Sequence, residues 1–321
     1  MRKLRFVAAL SALALVVTGC ANPPAETSHL WHGGQLTIGT GPTTGVFYQV
    51  GGGYADIVSA YLEGYDASAA ATAGAADNIL RLGGGDVDVA FTFADVAADA
   101  VRGSGSFTSP QRIVALAAIY RSYTHLIVRV DTGITSIAGL RGKRVSTGPV
   151  NSGTETMAMR VIAAAGLDPN QDIHRRSLSL AATTRGIVDG SLDAMFYTAG
   201  LPTTGVTELL GVARDMVRFL PLNTLLPKLD RSYPGTYSAA IIPRTAYNLQ
   251  FDIQTVAVSN MIVVRTDLPD DLAYGLTRLI FTHQRELAET HPEWGNVRRD
   301  LALETGAVTL HPGAQRYYDT G

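Results

Sequence analysis

Leu36-Thr37-Ile38-Gly39-Thr40-Gly41-Pro42-Thr43-Thr44-Gly45-Val46-Phe47-Tyr48-Gln49-Val50 joins a strand-like run to a helical pattern through a turn of glycines and hydroxyls. Beyond the turn, Phe47, Val50, Tyr54, Ile57, Val58 and Tyr61 recur at helical spacing. The first N–H groups of such a helix have no acceptor within it. The positive end of the helix dipole lies beside them, and together they attract an anion. The same order returns later in the chain. Lys143-Arg144-Val145-Ser146 reads as a strand, Gly148-Pro149-Val150-Asn151-Ser152-Gly153-Thr154-Glu155 as a turn, and Met157, Val161, Ile162 and Ala165 as a helix stopped by Gly166. Asn151 or Ser152 is placed to cap that helix, with Thr154 and Glu155 in its first turn. Two such turns in different halves of the chain predict a ligand clamped between two lobes.

The remaining segments extend the alternation. Val87–Phe91, His125–Val130, Ala194–Tyr197 and Val256–Val264 are strand candidates. Leu272, Leu276, Leu279, Ile280 and Leu287 share a helical face opened by Pro269 and the acidic pair Asp270-Asp271. This order predicts an α/β fold with parallel strands and a ligand at their carboxyl ends. Crossings between lobes are expected near Tyr123–Thr124 and Gln250–Thr255. They divide the chain into one lobe of 36–123 with 256–321 and another of 124–255, and no strand of 125–250 is expected in the sheet of the Leu36 strand.

Residues 1–19 have the layout of a secretory signal, with Arg2, Lys3 and Arg5 ahead of an apolar run too short to span a bilayer. The ending Val17-Thr18-Gly19-Cys20 resembles a bacterial lipobox, which makes Cys20 the lipidated first residue of an exported, membrane-tethered protein. Residues 20–35, with Pro23 and Pro24, read as the tether. Cys20 is the single cysteine of the 321 residues, so stability outside the cell rests on core packing and not on disulfides. There are 26 basic and 28 acidic residues, and three of the basic ones lie in the signal. The body is therefore mildly acidic, without the positive footprint that nucleic acid requires.

Catalytic and metal motifs are missing. The chain has no G-x-S-x-G elbow, no H-E-x-x-H and no thiol free for nucleophilic work, and no cofactor or metal is expected. The Gly39–Gly45 turn departs from the dinucleotide fingerprint in spacing. His29 and His32 fall in the tether, and His125 reads as a hydrogen-bonded core residue. Asp86 and Asp88 read as a solvent face, and Tyr317-Tyr318 as packing for a terminal segment.

In order, these segments resemble the TAXI branch of TRAP-transporter solute-binding proteins. The resemblance is carried by Ile38–Gly41 through Phe47–Gly52, Asp77–Leu82 with Asp88–Phe91, Leu140–Ser146, Asn151–Glu155, Asp193–Pro202, Thr255–Val258, Leu268-Pro269 and His311–Ala314. It implies a two-lobed periplasmic-binding-protein fold of the second type, crossed twice by the chain. It also implies capture of a small organic anion, a dicarboxylate or glutamate-like acid, for the permease subunits of an ion-gradient-driven transporter. The chain departs from the branch at Pro42, Thr44, Val46, Phe47 and Gln49, at Ala75, and at Phe93-Ala94-Asp95. These changes remove polar partners, add an aromatic face and point to a more apolar acid.

The candidate ligand contacts are Thr43, Thr44, Gly45, Val46, Phe47 and Tyr48 from the first turn, and Thr72 and Ala73 from the second loop. Thr92 and Asp95 follow the Phe91 strand, Asn151, Ser152, Gly153 and Thr154 form the opposing turn, and Tyr197, Thr198 and Ala199 complete the wall. Arg81, Arg121 and Arg185 are candidates for a carboxylate clamp. Two other function classes are a sensing lipoprotein that presents its closed form to a membrane receptor, and an enzyme on a periplasmic-binding-like fold.

Overall fold

Two apolar runs without glycine or proline form the longest strands, Ile113–Arg129 and Ile253–Arg265. The computed structural model describes residues 30–320. The signal and Cys20 lie outside that range. In chain order the strands are β1 (Gln35–Gly39), β2 (Asp66–Ala70), β3 (Val89–Phe93), β4 (Ile113–Arg129), β5 (Arg144–Ser146), β6 (His174–Arg176), β7 (Ala194–Ala199), β8 (Val217–Phe219), β9 (Tyr237–Ile242) and β10 (Ile253–Arg265). The helices are α1 (Val46–Tyr61), α2 (Ala75–Gly84), α3 (Ala94–Arg102), α4 (Gly153–Ala164), α5 (Leu180–Asp189), α6 (Thr204–Ala213), α7 (Leu226–Ser232), α8 (Arg244–Tyr247), α9 (Asp270–Thr282), α10 (Gln284–Thr290) and α11 (Pro312–Thr320).

The strands run β2-β1-β3-β10-β4-β7-β5-β6, with β9 on β10 and β8 on β4. β1, β2 and β3 are mutually parallel, as are β5, β6 and β7. β10 runs antiparallel to β3, β4 and β9, and β4 antiparallel to β7. The sheet is therefore mixed, against the expectation of parallel strands throughout, because β4 and β10 return through both groups.

Separate sheets for the two lobes are likewise not what forms. One edge of β10 pairs with β9 over Ile253–Val258 and with β3 over Asn260–Val264. β4 pairs with β10 over Ile113–Tyr123 and with β7 over Tyr123–Val128. Nothing in either run breaks a strand, so the sheet continues from the Leu36 strand into the 125–250 segment. The two-lobed division falls inside two shared strands, and a register shift between Ser259 and Met261 marks it on β10.

The first lobe is completed by the C-terminal helices. Trp294 is buried against Tyr54 and Phe91 and donates its indole N–H to the Val50 carbonyl. The Tyr54 hydroxyl donates to Leu276 O, and Tyr318 reaches Leu116 O, so Tyr317-Tyr318 pack a terminal helix as expected. The last residues of the segment that reads as a tether are also docked. Trp31 Nε1 donates to Asp88 Oδ1 at 2.9 Å, and His32 Nδ1 lies 2.6 Å from the same oxygen. Asp88 is thus buried beneath Trp31 and does not form a solvent face, because it also accepts the Thr37 N–H.

His125 sits at the centre of the second lobe, fully buried. Its Nδ1 faces the Tyr123 and Tyr197 carbonyls, which assigns the proton there, and Nε2 accepts from the Tyr247 hydroxyl at 3.0 Å. Burial pushes its pKa down to about 4. The unfolded chain takes up this proton near pH 6.5 and the folded chain only near 4, so stability falls as pH drops through that window. Replacing His125 with Gln should remove up to about 3 kcal/mol of this pH dependence, read as a flatter Tm profile between pH 6.5 and 4 than that of the parent.

Candidate functional site

Three helix N-termini converge between the lobes. α1 starts after Gly45 and α2 after Gly74, neither with a side-chain cap, and α4 starts after Ser152, whose Oγ accepts the Glu155 N–H at 3.0 Å. The space between them is lined by Gly41, Pro42, Gly45, Val46 and Phe47 of the first turn, Ala73, Gly74 and Ala75 of the second, and Phe93 and Ser122 at the floor. Pro149, Ser152, Gly153, Thr154, Leu180, Tyr197, Thr198 and Ala199 close it from the second lobe. In this closed form the cavity volume is only about 40 Å³, within about 470 Å³ of non-atom space once the open mouth is counted. No lining residue carries a formal charge.

The cleft is closed. Phe93 packs so tightly on α4 that a Cβ at Gly153 would lie 2.3 Å from its ring. Across the same gap the Asn151 carbonyl accepts the N–H groups of Ala76 and Asp77, at 3.1 and 2.9 Å. Asn151 adopts a left-handed backbone conformation (φ 63°), which asparagine tolerates better than most residues. Its own N–H is held by Glu155 Oε2. At the rim Gln49 Nε2 donates to Thr204 Oγ1.

Of the candidate contacts, Gly45, Val46, Phe47, Ala73, Ser152, Gly153, Thr154, Tyr197, Thr198 and Ala199 are brought together on this wall. Thr43, Thr44, Tyr48, Thr72, Thr92, Asp95 and Asn151 are not. Thr43 faces solvent, while Thr44 and Tyr48 are partly buried outside the lining. Thr72 Oγ1 donates to Asn78 Oδ1, and Thr92 Oγ1 to Ala75 O beneath the wall. Arg81, Arg121 and Arg185 are exposed and outside the lining, and Arg81 pairs with Asp77 one turn away on α2. Gly41, Pro42, Gly74, Ala75, Phe93, Ser122, Pro149 and Leu180 line the cleft but were not among the candidate contacts, and of these only Pro42, Ala75 and Phe93 stood out in the sequence, as departures from the family branch. Pro42 and Pro149 occupy matching places in the two glycine turns, which was the signal available for them.

Asp95 has a different task. It is buried on α3 and accepts from Arg160 Nη1 (3.0 Å), the Tyr237 hydroxyl (2.7 Å) and the Val96 N–H (2.8 Å). Arg160, on α4, also pairs with Asp99 and stacks over the Tyr233 ring. Burial pushes the Asp95 carboxyl up, and its three donors work against that rise. Burial opposes the Arg160 charge too, but Asp95, Tyr237 and Asp99 hold the guanidinium charged. Two first-lobe carboxylates and one second-lobe arginine thus join the lobes behind the cleft.

Beneath the wall, His125 fixes Tyr197 through the Tyr197 carbonyl. Tyr247, whose hydroxyl donates to His125, accepts the Thr203 N–H beyond β7. The Thr198 N–H donates to Thr154 Oγ1, which locks α4 to β7. Ser122 gives its proton to Asn260. The site has rigid walls, aromatic packing and backbone donors, and no nucleophile paired with a base. No group of three or more potential metal ligands occurs among the described residues.

The model of the NMT1-like family matches residues 38–320, nearly the whole described chain. The chain belongs to the NMT1-like family. Solved structures similar to this NMT1-like chain include a binding-protein component of an ABC phosphonate transporter from Pseudomonas aeruginosa, with a TM-score of 0.55, 14% identity, and coverage of 81% of this chain and 78% of that one. A protein from Bordetella bronchiseptica follows with a TM-score of 0.53, 16% identity and 89% of each chain covered. A Xanthomonas citri protein bound to ATP has a TM-score of 0.51 and 13% identity, covering 89% of this chain and 94% of its own. At such identities the likeness concerns architecture, and the NMT1-like chain has the two-lobed fold of periplasmic binding proteins. No described helix is long and apolar enough to cross a membrane.

Two outcomes test the closed geometry of the NMT1-like chain. Arg160→Met strands Asp95 and Asp99 without their cation, which in buried pairs costs about 3–5 kcal/mol. Small-angle scattering should show a larger radius of gyration for this variant, and pairing it with Asp95→Asn should restore part of the compactness. Gly153→Ala forces the new methyl against Phe93, so weaker solute binding is expected by calorimetry.

Proposed function

We propose that this protein is an extracytoplasmic solute-binding protein that captures a small organic anion between its lobes and passes it to a membrane permease. The observation that carries this reading is the closed, charge-free cleft with helix N-termini from both lobes on its wall. Such N-termini bind anions through free N–H groups and the helix dipole, without needing a cationic side chain. The periplasmic-binding-protein fold and the NMT1-like family membership agree with it.

The finer reading comes from sequence. The ordered resemblance to the TAXI branch, from Ile38 to Ala314, supports a TRAP-type permease driven by an ion gradient. The signal-like residues 1–19 and the lipobox-like ending at Cys20 support a lipid-anchored, exported protein. Capture by closure requires the lobes to move as units, proposed as 36–123 with 256–321 against 124–255. The hinge strands are then β4 near Tyr120–Tyr123 and β10 near Val258–Asn260, a few residues beyond the crossing expected at Gln250–Thr255 and the bound at 256, because Val256–Val258 still pair with β9 of the other lobe. Moving the population from 1:99 to 99:1 takes about 5.5 kcal/mol of preference for the closed form. That is within reach of a few charge-assisted hydrogen bonds at roughly 1.5–3 kcal/mol each.

Native mass spectrometry of the purified protein should show a co-purifying acid. After its removal the radius of gyration should rise, and it should fall again when the acid is returned. Turnover of the bound acid would replace this reading with the enzymatic one. Uptake into proteoliposomes driven by ATP and indifferent to ion gradients would exclude the TRAP assignment.

A further inference from the structure

The chemistry of the lining narrows the ligand. At one end of the cleft stand the first turns of α1 and α4, where Val46, Phe47, Gly153 and Thr154 line the cavity and their N–H groups have no acceptor within the helices. The same end holds the Tyr197 hydroxyl, so close to the α1 N-terminus that a Cβ at Gly45 would lie 2.7 Å from it. Tyr197 is only 7% exposed as a residue, but its hydroxyl oxygen pairs with no other described residue and is not among the fully buried unpartnered atoms, so it is open to the cavity. Burial pushes its pKa far above the ordinary phenol value, so it stays a donor at any physiological pH. A hydroxyl that faces the cavity without a protein partner is free to donate to whatever occupies it.

The rest of the wall is apolar. Phe47 and Phe93 meet edge to face with ring centroids 5.4 Å apart, and Pro42, Val46, Pro149 and Leu180 continue that surface. Two classes of acid fit badly here. A zwitterionic amino acid brings an ammonium group, and no lining residue is a carboxylate to receive it. The nearby Asp95 is already committed to Arg160 and Tyr237. A dicarboxylate brings a second anion at the tail end, where the wall is Phe47, Phe93, Pro149 and Leu180 and offers neither a cationic side chain nor a donor beyond those already facing the first head. Burying either charge unpaired costs several kcal/mol.

We infer that the cleft takes acids with a single anionic head and an apolar, preferably aromatic, tail. The head lies among Tyr197 Oη and the N-termini of α1 and α4, and the tail against Phe47, Phe93 and Leu180. This inference rests on the proposed capture of an anion in the cleft. Tyr197 is the head-group donor and Phe93 the tail contact.

The test is calorimetry on protein freed of any co-purified solute, with phenylacetate, benzenesulfonate, glutamate and succinate as probes. Phenylacetate or benzenesulfonate should bind at least tenfold more tightly than glutamate or succinate, and the better of the two identifies the head as carboxylate or sulfonate. Tyr197→Phe should weaken the preferred probe by about 10- to 100-fold, the loss of one charge-assisted hydrogen bond. Phe93→Leu, checked for folding by its Tm, should weaken the aromatic probe while leaving a short aliphatic acid such as butyrate little changed. Glutamate or succinate binding as tightly as phenylacetate overturns the ligand class but leaves anion capture standing. If none of the acids binds, anion capture falls and this inference falls with it. An unchanged affinity in Tyr197→Phe removes the head-group assignment.

Discussion

The continuity of β4 and β10 through both lobes is the constraint on which the rest of the structure depends. A peptide group inside a sheet must be paired on its edges, and the two strands meet that demand with different neighbours at their two ends. β10 gives one edge to β9 and then to β3, while β4 turns from β10 to β7. The lobes are therefore held in register by main-chain hydrogen bonds and not by flexible linkers. Any relative motion of the lobes would have to be absorbed by twist within a few residues, and β10 carries irregular pairing at Ser259/Met261 and Ile262/Val263. Such a joint permits a narrow range of movement, which suits a cleft whose walls must meet to within ångströms.

Charge is distributed with the same economy. The lining has none, while Asp95, Asp99 and Arg160 form a buried ion cluster that joins the lobes. An ion pair of this kind adds little net stability over a well-packed apolar contact, but it penalises any misalignment of its partners strongly. Its effect is to define one closed arrangement of the lobes. The cleft is left free to be read by shape, by backbone donors and by Tyr197.

Much of this was legible in local sequence. The two glycine turns, the strands before them and the helices after them lie where periodicity and turn composition put them, because short-range sterics and capping decide those features. His125 was legible as a core residue because an apolar run follows it, although it lies inside β4 and not at a strand start as expected. What could not be read involves residues far apart in the chain. Arg160 and Asp95 are separated by 65 positions, and an aspartate in a first helical turn looks the same whether it meets a ligand or a salt bridge. Asp88 was misplaced for a similar reason, since its partners Trp31 and His32 lie in a segment that composition marks as a tether. The mixed sheet escaped prediction because strand direction depends on pairing across lobes, whereas the period-2 pattern is blind to it.

Asn151 supplies the N-terminus of α2 with a carbonyl oxygen from the protein itself. The closed form is thus partly self-satisfied: one of the three dipoles aimed at the gap is neutralised whether or not a solute is inside. Closure of the empty protein is made less unfavourable by that contact, and an empty closed form would compete with the loaded one for any membrane partner that recognises shape alone. Under the proposed capture of an anion, the discrimination between cargo and no cargo would fall on the two remaining helix ends and on one tyrosine hydroxyl. The fidelity of delivery would then be set by how poorly those groups tolerate being left alone.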